Sequence, residues 1–243
     1  MTWFKSWFDS PYYRLLYEHR SDQEAERFLQ NLLNKEIIPP WSEILDVGCG
    51  YGRHACWLAQ QNFTVMGIDL SPERIAEATA KAQKLTHPPK FWVQDMREIN
   101  YHNQFDVVLN LFTSFGYFSD IIENQNVLSK FHKALKPTGT LILDYLNANT
   151  VSEEPEPVQK QINGVLFTIQ KKRYSTYVEK KISIQDANQE SHEFTEKVTL
   201  FEADKLTDML LNAGFQNISK YGDYELNDWA ANSPRSIMVA RNR

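Results

Sequence analysis

Three glycines at alternate positions, Gly48, Gly50 and Gly52, follow an apolar run over 44–47 that carries one carboxylate, Asp46. A second apolar run ends in Asp69, 21 residues after Gly48. In an open α/β sheet the first strand-to-helix turn presents free backbone N–H groups, and glycine there lets a ligand lie against the main chain. An acid closing the next strand can accept both hydroxyls of a ribose. The spacing therefore suits a ligand bearing a nucleoside, while a turn that needs glycine for geometry alone stays open as the plain alternative. The dinucleotide fingerprint G-x-G-x-x-G/A would place Arg53 at its last small position, which disfavours nicotinamide and flavin dinucleotides. No G-K-[ST] follows the loop, which disfavours P-loop phosphoryl transfer.

The segments that must position these residues alternate in period. Strands are expected over 43–48, 64–70, 90–96, 105–112 and 139–147, and helices over 53–61, 72–85 and 121–135. Continuous apolar strands between helical patterns mean a parallel sheet covered on both faces. Two short helices are expected between 12 and 35, ending at Pro39 and Pro40. After Asn147 an acidic, proline-bearing linker leads into segments that alternate apolar and charged residues, the pattern of antiparallel strands with one wet face. A helix over 202–215 and two closing strands complete the chain. The organisation read from this is an N-terminal helical lid (1–40), a core (41–150), an antiparallel β insertion (151–201) and a C-terminal return to the core (202–243).

The 243 residues are 42% hydrophobic, enough for a sizeable core. With 26 Lys and Arg against 31 Asp and Glu, the net charge of -5 has the wrong sign for gripping long phosphate backbones. The two cysteines, Cys49 and Cys56, have no clustered histidines beside them, so no metal site is expected and structural thiols are. The start has neither a signal-peptide pattern nor a membrane-spanning apolar stretch, and a soluble cytoplasmic protein is the expectation.

In order along the chain, "LDVGCGYGRHACWLA", "VMGIDLS", "VQDMRE", "FDVVLNLFTSFGYF" and "LKPTGTLILDYLN" resemble the motif set of class I S-adenosylmethionine-dependent methyltransferases, over residues 44–147. The opening "WFKSWFDSPYYRLLYEHR" and the closing "YGDYELNDWAANSPRSIMVAR" resemble bacterial members of that superfamily. The resemblance implies a Rossmann-like, seven-stranded α/β sheet of order 3-2-1-4-5-7-6, strand 7 antiparallel, with helices on both faces. It implies S-adenosyl-L-methionine as cofactor and S-adenosyl-L-homocysteine as product. Gly48, Cys49 and Gly50 would form the turn against the methionine and ribose, and Asp46 would contact the methionine end or order the loop. Asp69 would take the ribose hydroxyls and Leu70 would pack on the adenine. Asp95, with Met96, would meet the adenine edge, and Asn110 and Leu111 would border the methyl group.

A sulfonium is already an activated methyl donor, so the protein chiefly orients the reactants, and a base matters only for an acceptor that arrives protonated. The resemblance places acceptor contacts in the N-terminal helices, after the fourth strand and in the additions after the fifth. Tyr12, Tyr13, Tyr17, His19 and Arg20 are lid candidates, with His19 the first choice for a base. Tyr117 is a candidate hydrogen-bonding partner for the acceptor, and Arg235 a candidate for pairing with an acceptor carboxylate. A small molecule, methylated on nitrogen or oxygen, is the expected acceptor, and a monomer or homodimer the expected state. The alternatives are an RNA or protein methyltransferase, which would need Lys171, Lys172, Arg173, Lys180 and Lys181 around the pocket mouth, and a non-catalytic protein that binds the cofactor.

Overall fold

The computed structural model describes residues 3–17 and 22–242. Seven strands, β1 (Glu43–Val47), β2 (Thr64–Asp69), β3 (Lys90–Val93), β4 (Phe105–Asn110), β5 (Leu135–Leu146), β10 (Gln216–Tyr221) and β11 (Arg235–Arg241), form one sheet. Its order is β10-β11-β5-β4-β1-β2-β3, with β11 antiparallel to both neighbours and β1 to β5 parallel. This is the sheet expected above. The helices α4 (Arg53–Gln60), α5 (Pro72–Ala82), α6 (Ile121–Ala134) and α7 (Ala203–Ala213) cover it, and apolar clusters lie on both faces. Local chemistry sets the boundaries: Ser71 accepts the Arg74 amide at 3.2 Å and Pro72 occupies the first turn of α5, while Asp120 caps α6 through the Ile122 amide.

The two helices expected between 12 and 35 are α2 (Pro11–Tyr17) and α3 (Asp22–Asn34), and two features were not expected. A further helix, α1 (Trp3–Phe8), precedes them. The six residues of α1 are too short to carry a periodic signal, and the helix is held by burying Phe4 and Trp7. Strand β5 begins at Leu135, upstream of the expected turn at Pro137, because a register shift against β4 absorbs the extra residues between Leu135 and Thr140.

The insertion is a four-stranded antiparallel meander of β6 (Val158–Ile162), β7 (Val165–Arg173), β8 (Tyr177–Gln185) and β9 (Ser191–Thr199). Helices α1 and α2 pack on it: Trp7 and Leu16 share an apolar cluster with Val165, Phe167, Ile182 and Ile184. The Tyr12 hydroxyl donates to Asp186 at 3.0 Å, tying α2 to the loop after β8. At the other end Tyr145 donates to the Thr199 carbonyl and the Thr199 amide donates to Gly116 at 2.9 Å. The insertion is thus fastened to the segment that follows β4.

Candidate functional site

The carboxyl ends of β1, β2, β4 and β5 open into a cleft of about 1290 Å³. Its floor is the turn after β1. Gly48, Gly50 and Gly52 all take positive φ, but their surroundings differ. A Cβ on Gly52 would stand 2.7 Å from the Phe91 ring, whereas one on Gly50 would enter open space. Gly52 is small because the helix packs there, and Gly50 because the cleft begins there. Beside it the Asp69 carboxylate accepts the Gly50 amide at 2.9 Å and the Ser71 amide at 3.0 Å, one on each oxygen. Leu70, Asp95 and Met96 line the same end. Arg97 grips Asp95 through its backbone amide and its guanidinium, at 2.8 to 3.2 Å. Burial pushes the Asp95 carboxyl up, but these hydrogen bonds outweigh it and hold it below its ordinary value.

Two polar side chains stand behind the floor. Asp46 is 1% exposed with Oδ2 unpartnered. Burial, with the Asp69 charge adding to it and Arg53 opposing, raises its pKa to about 7. Asn110 is fully buried and donates to the Val47 carbonyl at 3.0 Å and the Ser114 carbonyl at 3.3 Å. Neither residue is among those lining the cleft, while Leu111 is.

On the β5 side, Asp144 is fully buried and joins three segments: its carboxylate accepts the Phe112 amide at 2.8 Å, the Tyr224 hydroxyl at 3.1 Å and Arg235 Nε at 2.8 Å. Arg235 also donates to the Thr113 hydroxyl at 2.9 Å. His54 stacks on Phe112, and burial, with the charges of Arg53 and Lys81, holds its pKa well below the ordinary value, so the ring is neutral at pH 7. The roof comes from α1, α2 and the insertion. Trp3, Phe4, Phe8 and Tyr117 pack ring on ring, with Tyr117 donating to the Thr113 carbonyl at 2.6 Å. Glu196 of β9 accepts Trp7 Nε1 and the Tyr17 hydroxyl, both at 2.8 Å, and pairs with Lys180 at 3.1 Å.

Residues 44–139 match the model of a methyltransferase domain family. A Geobacillus sp. (strain WCH70) protein named as a methyltransferase is 34% identical over 119 residues, 49% of this chain and 48% of that one. The chain spans about half the length of this curated relative. A glycine/sarcosine N-methyltransferase of Halorhodospira halochloris is 25% identical over 224 residues, 86% of this chain and 77% of that one. An S-adenosylmethionine-dependent methyltransferase from Clostridium acetobutylicum ATCC 824 superposes with a TM-score of 0.79 at 18% identity, covering 95% of each chain. The matched motifs run through the floor of the cleft and the sheet order is that of the family. Residues 44–139 thus match a methyltransferase domain, set in a fold that the chain shares with solved S-adenosylmethionine-dependent methyltransferases.

The methyltransferase domain's cleft fits its cofactor: open space stands over Gly50, the Asp69 oxygens keep unused lone pairs at its edge, and Leu70 and Met96 offer an apolar slot. Of the residues named from the sequence, Gly48, Cys49, Gly50, Asp69, Leu70, Asp95, Met96 and Leu111 line the cleft together with Tyr13, Tyr117 and Arg235. His19 lies outside the described residues. Arg235, the candidate for pairing with an acceptor carboxylate, lines the cleft and is also bound into its wall, where it answers the buried charge of Asp144 and donates to Thr113. Of the five basic residues considered for a polyanion rim, Lys171 and Lys180 line the cleft; Lys172 and Lys181 do not, since successive strand residues face opposite ways, and Arg173 does not either, its guanidinium donating to the Val151 carbonyl at 2.6 Å. Sequence reasoning missed Asp144, His54, Arg74 and Glu196. The one available signal was charged or polar residues inside apolar stripes, as with Arg74 beside Ile75 and Ala78 in α5.

Proposed function

We propose that the protein transfers the methyl group of S-adenosyl-L-methionine to a nitrogen of a small molecule held beneath the helical and β-sheet roof. The observation that carries this reading is the aromatic roof that α1 and the segment after β4 hold over one side of the cleft, with room for a small acceptor against the cofactor floor. Asp69 would accept the ribose hydroxyls, Leu70 and Met96 would flank the adenine, and Asp95, oriented by Arg97, would accept from its amino group. Gly48, Cys49 and Gly50 would lie under the methionine portion. Asp46 and Asn110 would act from behind the wall, Asp46 by its charge and Asn110 by tying the end of β1 to the loop at Ser114. The cofactor supplies an activated methyl group, and the residues of this chain orient the acceptor in line with it and exclude water. Nitrogen is favoured over oxygen by the relative named for glycine and sarcosine, which aligns over most of this chain. The neutral, buried His54 and the hydrogen-bonded Tyr117 shape the wall in this reading and take no proton.

The test is calorimetric titration of S-adenosyl-L-methionine and S-adenosyl-L-homocysteine into the wild type and Asp69→Ala, followed by a screen of small amines for S-adenosyl-L-homocysteine release. Loss of two ribose hydrogen bonds to a charged acceptor should weaken cofactor binding by roughly 100-fold. Undiminished binding by the variant would remove Asp69 from the ribose site, and binding without turnover on any amine would leave a non-catalytic cofactor-binding protein.

A further inference from the structure

Arg74 has no part in the roles above, yet it is the most unusual charge in the cleft. Its side chain leaves the first turn of α5, five residues after Asp69, lines the cleft and is only 7% exposed. Three rings surround it: the guanidinium carbon lies 4.3 Å from the centre of the Tyr13 ring, 5.1 Å from Phe8 and 5.4 Å from Tyr51. It shares a hydrogen bond with the Tyr51 hydroxyl. Two other nitrogens, Nε and Nη2, are buried with no hydrogen-bond partner, and among the described residues no carboxylate pairs with them. The nearby acids are engaged elsewhere. Glu77, three residues on in α5, pairs with Arg14 at 2.8 Å; Asp9 accepts the Ser71 hydroxyl at 2.6 Å; Asp69 takes the two amides already described.

A guanidinium does not lose its proton, so its burial is tolerated only when something answers the charge. Ring faces answer part of it. They do nothing for N–H groups in the guanidinium plane, and Nε and Nη2 together form one edge of that plane, whose two parallel donors match the two oxygens of a carboxylate. That edge has no protein acceptor, and although the side chain stands on the wall of a ligand cleft its two nitrogens are covered, so a carboxylate reaches them as the flanking rings give way; those flat rings suit a planar group better than a tetrahedral phosphate.

We propose that Arg74 is a carboxylate receptor of the cleft, engaging the ligand bidentately through Nε and Nη2. The carboxylate has two sources compatible with the cleft: the amino-acid end of the cofactor, or a carboxylate carried by the methyl acceptor. The inference rests on the reading of the cleft as the site of methyl transfer.

Arg74→Met keeps the apolar stem among the rings and removes the fork; Arg74→Lys keeps the charge and removes the paired donors. Both are titrated with S-adenosyl-L-homocysteine and with 5′-methylthioadenosine, which has the nucleoside but no amino-acid end, and melting curves check that they fold. If the cofactor supplies the carboxylate, Arg74→Met binds S-adenosyl-L-homocysteine roughly 10- to 100-fold more weakly and 5′-methylthioadenosine unchanged. If the acceptor supplies it, both nucleosides bind unchanged, and the KM for carboxylate-bearing amines such as glycine and sarcosine rises at least tenfold with kcat held, while glycinamide is unaffected. Arg74→Lys should fall between wild type and Arg74→Met, and it carries the comparison should Arg74→Met not fold. Equal weakening of both nucleosides, or no change in either nucleoside or in any carboxylate-bearing amine, would overturn the proposal. Failure of the wild type to bind either nucleoside would instead overturn the reading of the cleft.

Discussion

The buried charge of Asp46 is what couples the floor of the cleft to pH. Its pKa of about 7 reflects burial first and the neighbouring Asp69 charge second. A folded-state value raised above the unfolded one means that the folded protein binds the extra proton between about pH 4 and 7. The stability this contributes is fully present below the unfolded pKa and is lost as pH rises through 7. Asp46→Asn should therefore flatten the fall in unfolding free energy between pH 4 and 7, as read by urea titration across that range. The same group should sense the ligand. A cationic sulfonium placed over Gly50 favours the carboxylate form, so S-adenosyl-L-methionine should bind roughly tenfold more tightly at pH 8 than at pH 6, with proton release. The sulfur of S-adenosyl-L-homocysteine is neutral and should show less of this. If the contrast between the two ligands survives in Asp46→Asn, the coupling belongs to another residue.

Among the elements, β9 holds the roof together. Burial pushes the Glu196 carboxyl up, but the Lys180 charge and the donors of Trp7 and Tyr17 outweigh it and keep it below its ordinary value. One carboxylate thus joins α1, α2 and two strands of the insertion. Lys171 stands directly across from Lys180 on β7, and burial together with that like charge holds its pKa below normal against the opposing charge of Glu154. Glu196→Gln replaces an acceptor of three donors with a group that must itself donate. The expected cost is about 2 kcal/mol, concentrated in the docking of α1 and α2. Limited proteolysis should then cut the segment before residue 22 faster while the core resists. A cleavage pattern like that of the wild type would mean that the apolar cluster around Trp7 and Phe167 holds the helices without Glu196.

At the scale of the whole molecule there are two packed bodies around one cleft. The sheet has its own apolar clusters on both faces, and the roof has a separate one built from α1, α2 and the insertion. A ligand between them touches both, so binding should order them together. S-adenosyl-L-homocysteine at about 100 times its Kd should add about 2.7 kcal/mol and raise the Tm by a few degrees. Hydrogen exchange should slow in residues 3–17 and 158–199 in parallel with residues 48–52. Protection confined to the floor would show that the roof does not respond to the cofactor and waits for the acceptor.

The sequence by itself determined the sheet. Apolar runs of strand length between helical periods call for a parallel sheet covered on both faces, its strand order following only from the resemblance to the family, and the Gly48 to Asp69 spacing marks the end where a nucleoside can lie, because both signals are local and read along a single segment. It equally marked the insertion, through the alternation of wet and dry residues in β7 to β9. Only the tertiary structure decided what each glycine is for, since Gly50 and Gly52 look alike until Phe91 is found against one and open space over the other. Only it joined Asp144 to Arg235, and Glu196 to Trp7, across 91 and 189 residues of chain. The same holds for Arg74, whose position in the α5 sequence is that of any helical arginine. Its buried, half-answered charge arises because α1, α2 and the loop at Tyr51 close around it, and no local pattern encodes a meeting of segments so far apart in the chain.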